Sequence, residues 1–322
     1  MKSLLYLLLI VWAATMLQAQ SPALPAVPKE KEIILPVTGG SLVGTLAIPK
    51  RFKQGPVVLL IAGSGPTDRN GNNPLGGKNN SLQYLAHHLA EAGIASLRYD
   101  KRMIGASKFP GLQEGDLRFE DYVQDAVAWI DYLRQDKRYA KLIVAGHSEG
   151  ALIGMLAAVG KADAFVSIAG AGKPAVDLLK DQLKAQNMQP LEVLYAKLDS
   201  ITAGQRVHVM TATDMMLFRP SVQPYMQSWL RYDPRVEIAK LDMPVLLVQG
   251  TRDIQVPESD AQALMAAHPR ARLAIVVGMN HVFRLVDSED PAANWATYSD
   301  IHLPIASELV TAVVEFVQVL QK

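Results

Sequence analysis

The chain has 322 residues, 49% of them apolar and 20% charged, with a formal net charge of +1. That balance excludes a disordered chain and offers no polybasic surface to nucleic acid. There is no cysteine, which excludes disulfides, thiol catalysis and lipid attachment through a thiol. The length admits one large α/β domain with an insertion or two smaller domains.

At the start, Lys2 precedes an apolar run over residues 4–17, closed by Ala19 and followed by the proline-rich stretch 21–28. This is the layout of a signal peptide over residues 1–20. The apolar run falls short of the ~20 residues a membrane-spanning helix needs. Cleavage near Ala19 or Gln20 is therefore expected, giving a secreted or periplasmic protein with no stable membrane insertion.

Residues 32–38 and 42–48 are two short runs rich in branched side chains, joined at Gly39-Gly40, and they predict a β-hairpin. From Pro56 onward the texture changes. Nearly unbroken apolar runs at 57–62, 94–99, 142–145, 164–169, 245–249 and 271–277 alternate with amphipathic segments. Such alternation predicts a mostly parallel sheet with helices on both faces. One helix is expected to begin with Ser81 as its N-cap and to stop at Gly93. Another carries Phe119, Tyr122, Val123, Ala126, Val127, Ile130 and Leu133 on one face, and a last one lies near 304–320. Residues 172–235 break the alternation with a helical, methionine-bearing stretch, which predicts a cap inserted between core segments at 21–171 and 236–322.

The run 142–145 leads directly into Gly146-His147-Ser148-Glu149-Gly150, and an apolar helical segment follows. Strand, G-x-S-x-G and helix in this order form a nucleophile elbow. The flanking glycines fit a turn too sharp and too closely packed for side chains, and they leave Ser148 standing above the strand end. A serine needs a general base, and the base needs an orienting acid. Asp253 and His281 follow in the required chain order, each in a loop at the carboxyl end of a strand. Asp177 is a competing acid, and His147 reads as a packed neighbour.

The oxyanion of a tetrahedral intermediate calls for two N–H donors. They are expected from the backbone of Glu149 and from the turn Gly63-Ser64-Gly65-Pro66, with Ser64 favoured over Gly65. The charges at 68–72 and at Arg98, Asp100 and Arg102 read as loop-fixing ion pairs, with substrate contacts as the alternative, because structural networks are the commoner use of such charges. No metal and no cofactor is called for.

The stretches GSGPTDRNGN, RYDKR, GHSEG, SWLRYDP, PVLLVQGTRDIQVP and GMNH together resemble a family of bacterial secreted or periplasmic α/β-hydrolase esterases related to the serine aminopeptidase-like group. The resemblance runs from about Ile34 to the C-terminus. It implies an α/β-hydrolase fold with Ser148, Asp253 and His281 as the triad, and small-molecule carboxylic esters with short acyl groups as substrates. The chain departs from that pattern at Arg102-Met103-Ile104-Gly105, where such proteins often have Arg-Gly-Ile-Gly.

Within the cap, Met215 and Met216 are expected to wall the acyl site. An aminopeptidase or amidase would share the triad but would also need acids to hold a peptide amine, for which Glu149 and Asp214 are the candidates. A non-catalytic binding protein on the same fold is a third reading.

Overall fold

The computed structural model describes residues 24–321, so the expected signal segment lies outside the described residues. β1 (Lys29–Val37) and β2 (Gly40–Ile48) form the hairpin, turning at Gly39 with a φ of 83°. Then come β3 (Gly55–Ile61), α1 (Ser81–Glu91), β4 (Ala95–Asp100), α2 (Phe119–Arg134), β5 (Tyr139–His147), α3 (Glu149–Ala158) and β6 (Ala164–Ile168). Five helices follow without a strand: α4 (Ala175–Ala185), α5 (Leu191–Thr202), α6 (Ala212–Phe218), α7 (Gln223–Trp229) and α8 (Pro234–Ile238). The chain closes with β7 (Val245–Gly250), α9 (Glu258–Ala267), β8 (Arg272–Val276), α10 (Pro291–Ala296) and α11 (Ser307–Val319).

The strands join one eight-stranded sheet in the order β1-β2-β4-β3-β5-β6-β7-β8. β2 runs antiparallel to β1 and β4, and every pairing from β4 to β8 is parallel. Alternate side chains of a strand face opposite sides, so a sheet covered twice must be apolar at every position. β3 shows it directly. Val57, Leu59 and Ile61 pack with Phe119, Trp129 and Ile153 from α2 and α3, while Val58 and Leu60 pack with Leu85 and Leu89 of α1 and Val313 and Val317 of α11.

At α1 the cap differs from the sequence expectation. Ser81 is the first helical residue, and Asn80, left-handed at a φ of 55°, holds the cap position. Asparagine tolerates that backbone region better than serine does.

Helices α4 to α7 have an apolar cluster of their own, centred on Leu183, Leu194, Leu198, Ile201, Phe218 and Met226. α8 packs instead against α3 and α9, with Ile238 in the core cluster on that side of the sheet. Among the described residues, no helix is long and apolar enough to cross a membrane.

Candidate active site

β5 and α3 meet at Ser148, whose backbone is held at φ 56° and ψ −122°. A non-glycine residue in this region is strained, and such strain persists only where the surroundings over-determine it. Those surroundings are the two flanking glycines. A Cβ on Gly146 would lie 2.1 Å from the Gly150 carbonyl oxygen, and one on Gly150 would lie 2.4 Å from the Ile61 carbonyl oxygen. The Ser148 N–H donates to the Ile168 carbonyl at 3.0 Å, which ties the turn to the next strand.

Two further strand ends bring a carboxylate and an imidazole to this turn. His281 Nδ1 lies 2.7 Å from Asp253 Oδ2, and both side chains are buried. Asp253 is fixed from several directions: its Oδ1 accepts from the Gln255 and Val256 N–H groups at 2.8 and 2.9 Å, and Oδ2 also accepts from Gln249 at 3.2 Å. The His281 loop is held by Asn280, whose Oδ1 accepts from the Val282 and Arg284 N–H groups and whose amide donates to Asn294 and Thr297. Asp177, the competing acid, sits in the first turn of α4 and not in this cluster.

His147 Nε2 is 2.9 Å from the His281 carbonyl oxygen, and its ring packs 4.7 Å from that of His281. Burial, reinforced by the neighbouring His281, pushes the His147 imidazole down to about 3. It is therefore neutral at ordinary pH and, facing a carbonyl, donates from Nε2. His147 supports the His281 backbone.

The turn after β3 approaches Ser148 closely. A Cβ on Gly63 would stand 3.2 Å from the Ser148 Cβ. Among the described residues, neither the Ser64 nor the Glu149 backbone N–H has a protein acceptor. The side chain of Glu149 accepts from Tyr225 of α7 and lies 3.6 Å from the ammonium of Lys101, which donates to the Gly63 carbonyl at 2.6 Å. Sequence reasoning passed over Lys101. Its only local signal is a lysine directly after a fully buried strand.

Three cavities share Ser64 in their walls. One of about 280 Å³ is lined by Ser148, His281, Asn73, Trp295 and Tyr298. Another of about 550 Å³ is lined by Glu149 and by apolar side chains that include Tyr122, Leu217, Val222, Met226 and Trp229. A third of about 70 Å³ touches Ser148, Glu149, Leu178, Leu179 and Trp229.

Met215 and Met216 line none of these cavities and are 53% and 61% exposed. The reason is the helical period: α6 turns Asp214, Leu217 and Phe218 inward, so the two residues between them face solvent. From this part of the chain, Leu217 and Met226 line the 550 Å³ cavity instead. Met103, the departure from Arg-Gly-Ile-Gly, has a φ of 66° and lines the 550 Å³ cavity together with Ile104. A glycine would relieve the backbone there and remove that part of the wall.

The charged residues of this region are held in ion pairs, two of them with partners on other elements. Arg98 binds Glu30 at 2.8 Å, Arg69 binds Asp100 at 3.2 Å, and Arg102 binds Asp125 at 2.8 Å. Arg98, Asp100 and Arg102 line none of the three cavities. Among the described residues, no group of three or more His, Cys, Asp or Glu side chains forms a metal cradle.

A mostly parallel sheet wrapped by helices, with an elbow serine and an Asp–His pair at neighbouring strand ends, is an α/β-hydrolase fold. Residues 75–284 match the family described as serine aminopeptidase, S33, and the chain belongs to it. Esterase EstD of Thermotoga maritima is 27% identical over 250 residues, 76% of this chain and 59% of that relative. The chain thus spans less than two thirds of that relative's length. Est1E from Butyrivibrio proteoclasticus shares the fold with a TM-score of 0.58 at 18% identity, over 90% of this chain and 98% of that one. An enol-lactonase from Burkholderia xenovorans LB400 does so with a TM-score of 0.55 at 18% identity, over 89% and 100%.

Proposed function

We propose that this chain hydrolyses carboxylic esters through an acyl-Ser148 intermediate. The observation that carries the reading is the 2.7 Å bond between His281 Nδ1 and Asp253 Oδ2, in a loop that brings His281 into the same cavity wall as Ser148. Asp253 holds the proton on Nδ1, which leaves Nε2 as the base. His281 takes the Ser148 hydroxyl proton as Oγ attacks the ester carbon. The oxyanion that forms is stabilised by the N–H groups of Glu149 and Ser64. His281 then returns the proton to the departing alcohol, and a water activated in the same way releases the acid.

This chemistry assigns the sides of the site. The alcohol must receive its proton from His281, so it occupies the cavity of Trp295 and Tyr298. The acyl group extends toward the apolar walls of α6 and α7, where these helices act as the cap. Esters of short acyl groups, the class the family resemblance implies, are the proposed substrates.

Ester is favoured over peptide because the candidate acids Glu149 and Asp214 are already engaged, as is Glu114 in the wall of the 550 Å³ cavity, which pairs with Arg219 and accepts from Ser221. Glu149 faces Lys101 and Tyr225, and Asp214 pairs with Lys197 while accepting from the Met210 and Thr211 N–H groups. Turnover of a p-nitrophenyl ester compared with an aminoacyl p-nitroanilide tests the choice. Ester turnover should dominate, and the reverse order would sink the reading. The segment from Lys2 to Ala19 supports export from the cytoplasm, which fractionation of cells expressing the full chain tests.

A further inference from the structure

We propose that Lys101 is a positioning residue for the oxyanion site, acting on both N–H donors at once. The inference rests on the reading of Ser148 as nucleophile.

Lys101 follows β4 directly, and its side chain is 1% exposed. Burying an ammonium is costly, and replacing a buried ion pair by apolar groups of similar volume is often neutral or stabilising. Filling space does not explain this lysine. Its contacts do: the Gly63 carbonyl at 2.6 Å, Glu149 Oε2 at 3.6 Å and the Tyr122 ring at 5.0 Å.

The Gly63 carbonyl and the Ser64 N–H belong to the same peptide unit. In a planar trans peptide these two groups point to opposite sides. An ammonium bound to the Gly63 oxygen therefore turns the Ser64 N–H away from Lys101, toward the cavities that Ser64 lines. The same ammonium draws electron density through the amide and makes that N–H a stronger donor. Gly63 lets the turn approach Ser148, and the Ser64 carbonyl accepts from Thr67 Oγ1 at 2.7 Å, so Lys101 and Thr67 hold the turn from its two sides. On the other side, Lys101 pairs with the side chain of Glu149, the residue whose N–H is the second donor. One buried charge thus fixes the turn after β3 relative to the start of α3. Tyr225 links this arrangement to α7 by donating to the other Glu149 oxygen.

The test uses two variants, Lys101→Met and the double variant Lys101→Met/Glu149→Gln. The second removes the uncompensated carboxylate that the first leaves buried, so it retains a folded readout. With a p-nitrophenyl ester, kcat should fall about 10- to 100-fold while KM stays within about threefold, since a whole oxyanion donor is worth ~10²–10³ in kcat. Affinity for a trifluoromethyl ketone, which forms an oxyanion on Ser148, should fall by the same factor as kcat. A folded double variant with unchanged kcat overturns the proposal. So does a kcat loss without loss of ketone affinity, because that pattern belongs to general damage. If the unaltered protein neither cleaves esters nor labels at Ser148 with a fluorophosphonate, the parent reading has failed and the proposal falls with it.

Discussion

The turn at Ser148 and the cavity wall built by α6 and α7 are specified in opposite ways. At the turn, Gly146 and Gly150 admit no side chain because backbone atoms stand within 2.1 to 2.4 Å of where a Cβ would be. Asp253 is held there by several hydrogen bonds. The 550 Å³ cavity that begins at Ser64 and Glu149 is walled by Leu217, Val222, Met226 and Trp229, whose contribution is bulk. Apolar residues of similar volume can exchange at such positions at modest cost. On the proposed function, the contrast separates chemistry from selectivity: the positions assigned to moving protons depend on single atoms, and those assigned to selecting substrates depend on summed volume.

The sharpest way to break this comparison is at the nucleophile. Ser148→Ala should lower ester turnover on the order of 10⁵-fold or more and abolish fluorophosphonate labelling, with thermal stability preserved. Near-normal turnover would place the nucleophile elsewhere. Next in size is Asp253→Asn, which allows the wrong His281 tautomer and should lower kcat about 10³- to 10⁴-fold. A loss confined to KM would remove Asp253 from the acid–base machinery.

A smaller effect concerns His147, and it appears in stability. The native state keeps this imidazole neutral down to about 3, whereas an unfolded chain protonates it near ~6.5. As pH falls through that window the unfolded state takes up a proton that the native state refuses. Stability should therefore decline toward acid, by up to ~1.4 kcal/mol per pH unit. His147→Gln retains a donor for the His281 carbonyl but cannot titrate, so its Tm should depend less on pH between 6 and 4. An unaltered slope would assign the acid sensitivity to other groups.

The smallest effect tests the soft side of the comparison. Met226→Ala should shift the acyl-length profile by a few-fold, because it enlarges the cavity wall. Met215→Ala and Met216→Ala should leave the profile in place, since both side chains point into solvent. A shift with Met215 or Met216 would mean that α6 turns inward when substrate binds.

What the sequence by itself determined is local in origin. Most of the unbroken apolar runs identify strands buried on both faces because no exposed side is left, the edge strand β8 being the exception. The hairpin follows from its paired branched runs and Gly39-Gly40. The elbow is legible because Gly146 is demanded by backbone of the same strand–turn–helix unit, although Gly150 is demanded by the Ile61 carbonyl of β3, and Asp253 and His281 are legible because each lies in the loop that follows a strand. The tertiary structure decided what depends on elements distant in the chain. Lys101 is buried only because the turns at Gly63 and Glu149 close over it, and no pattern around residue 101 encodes that. Met215 and Met216 face outward because α6 docks by Leu217 and Phe218, a choice that its seven residues leave open until α5 and α7 are in place. Periodicity fixes which residues share a face, but packing against other elements fixes which face is buried.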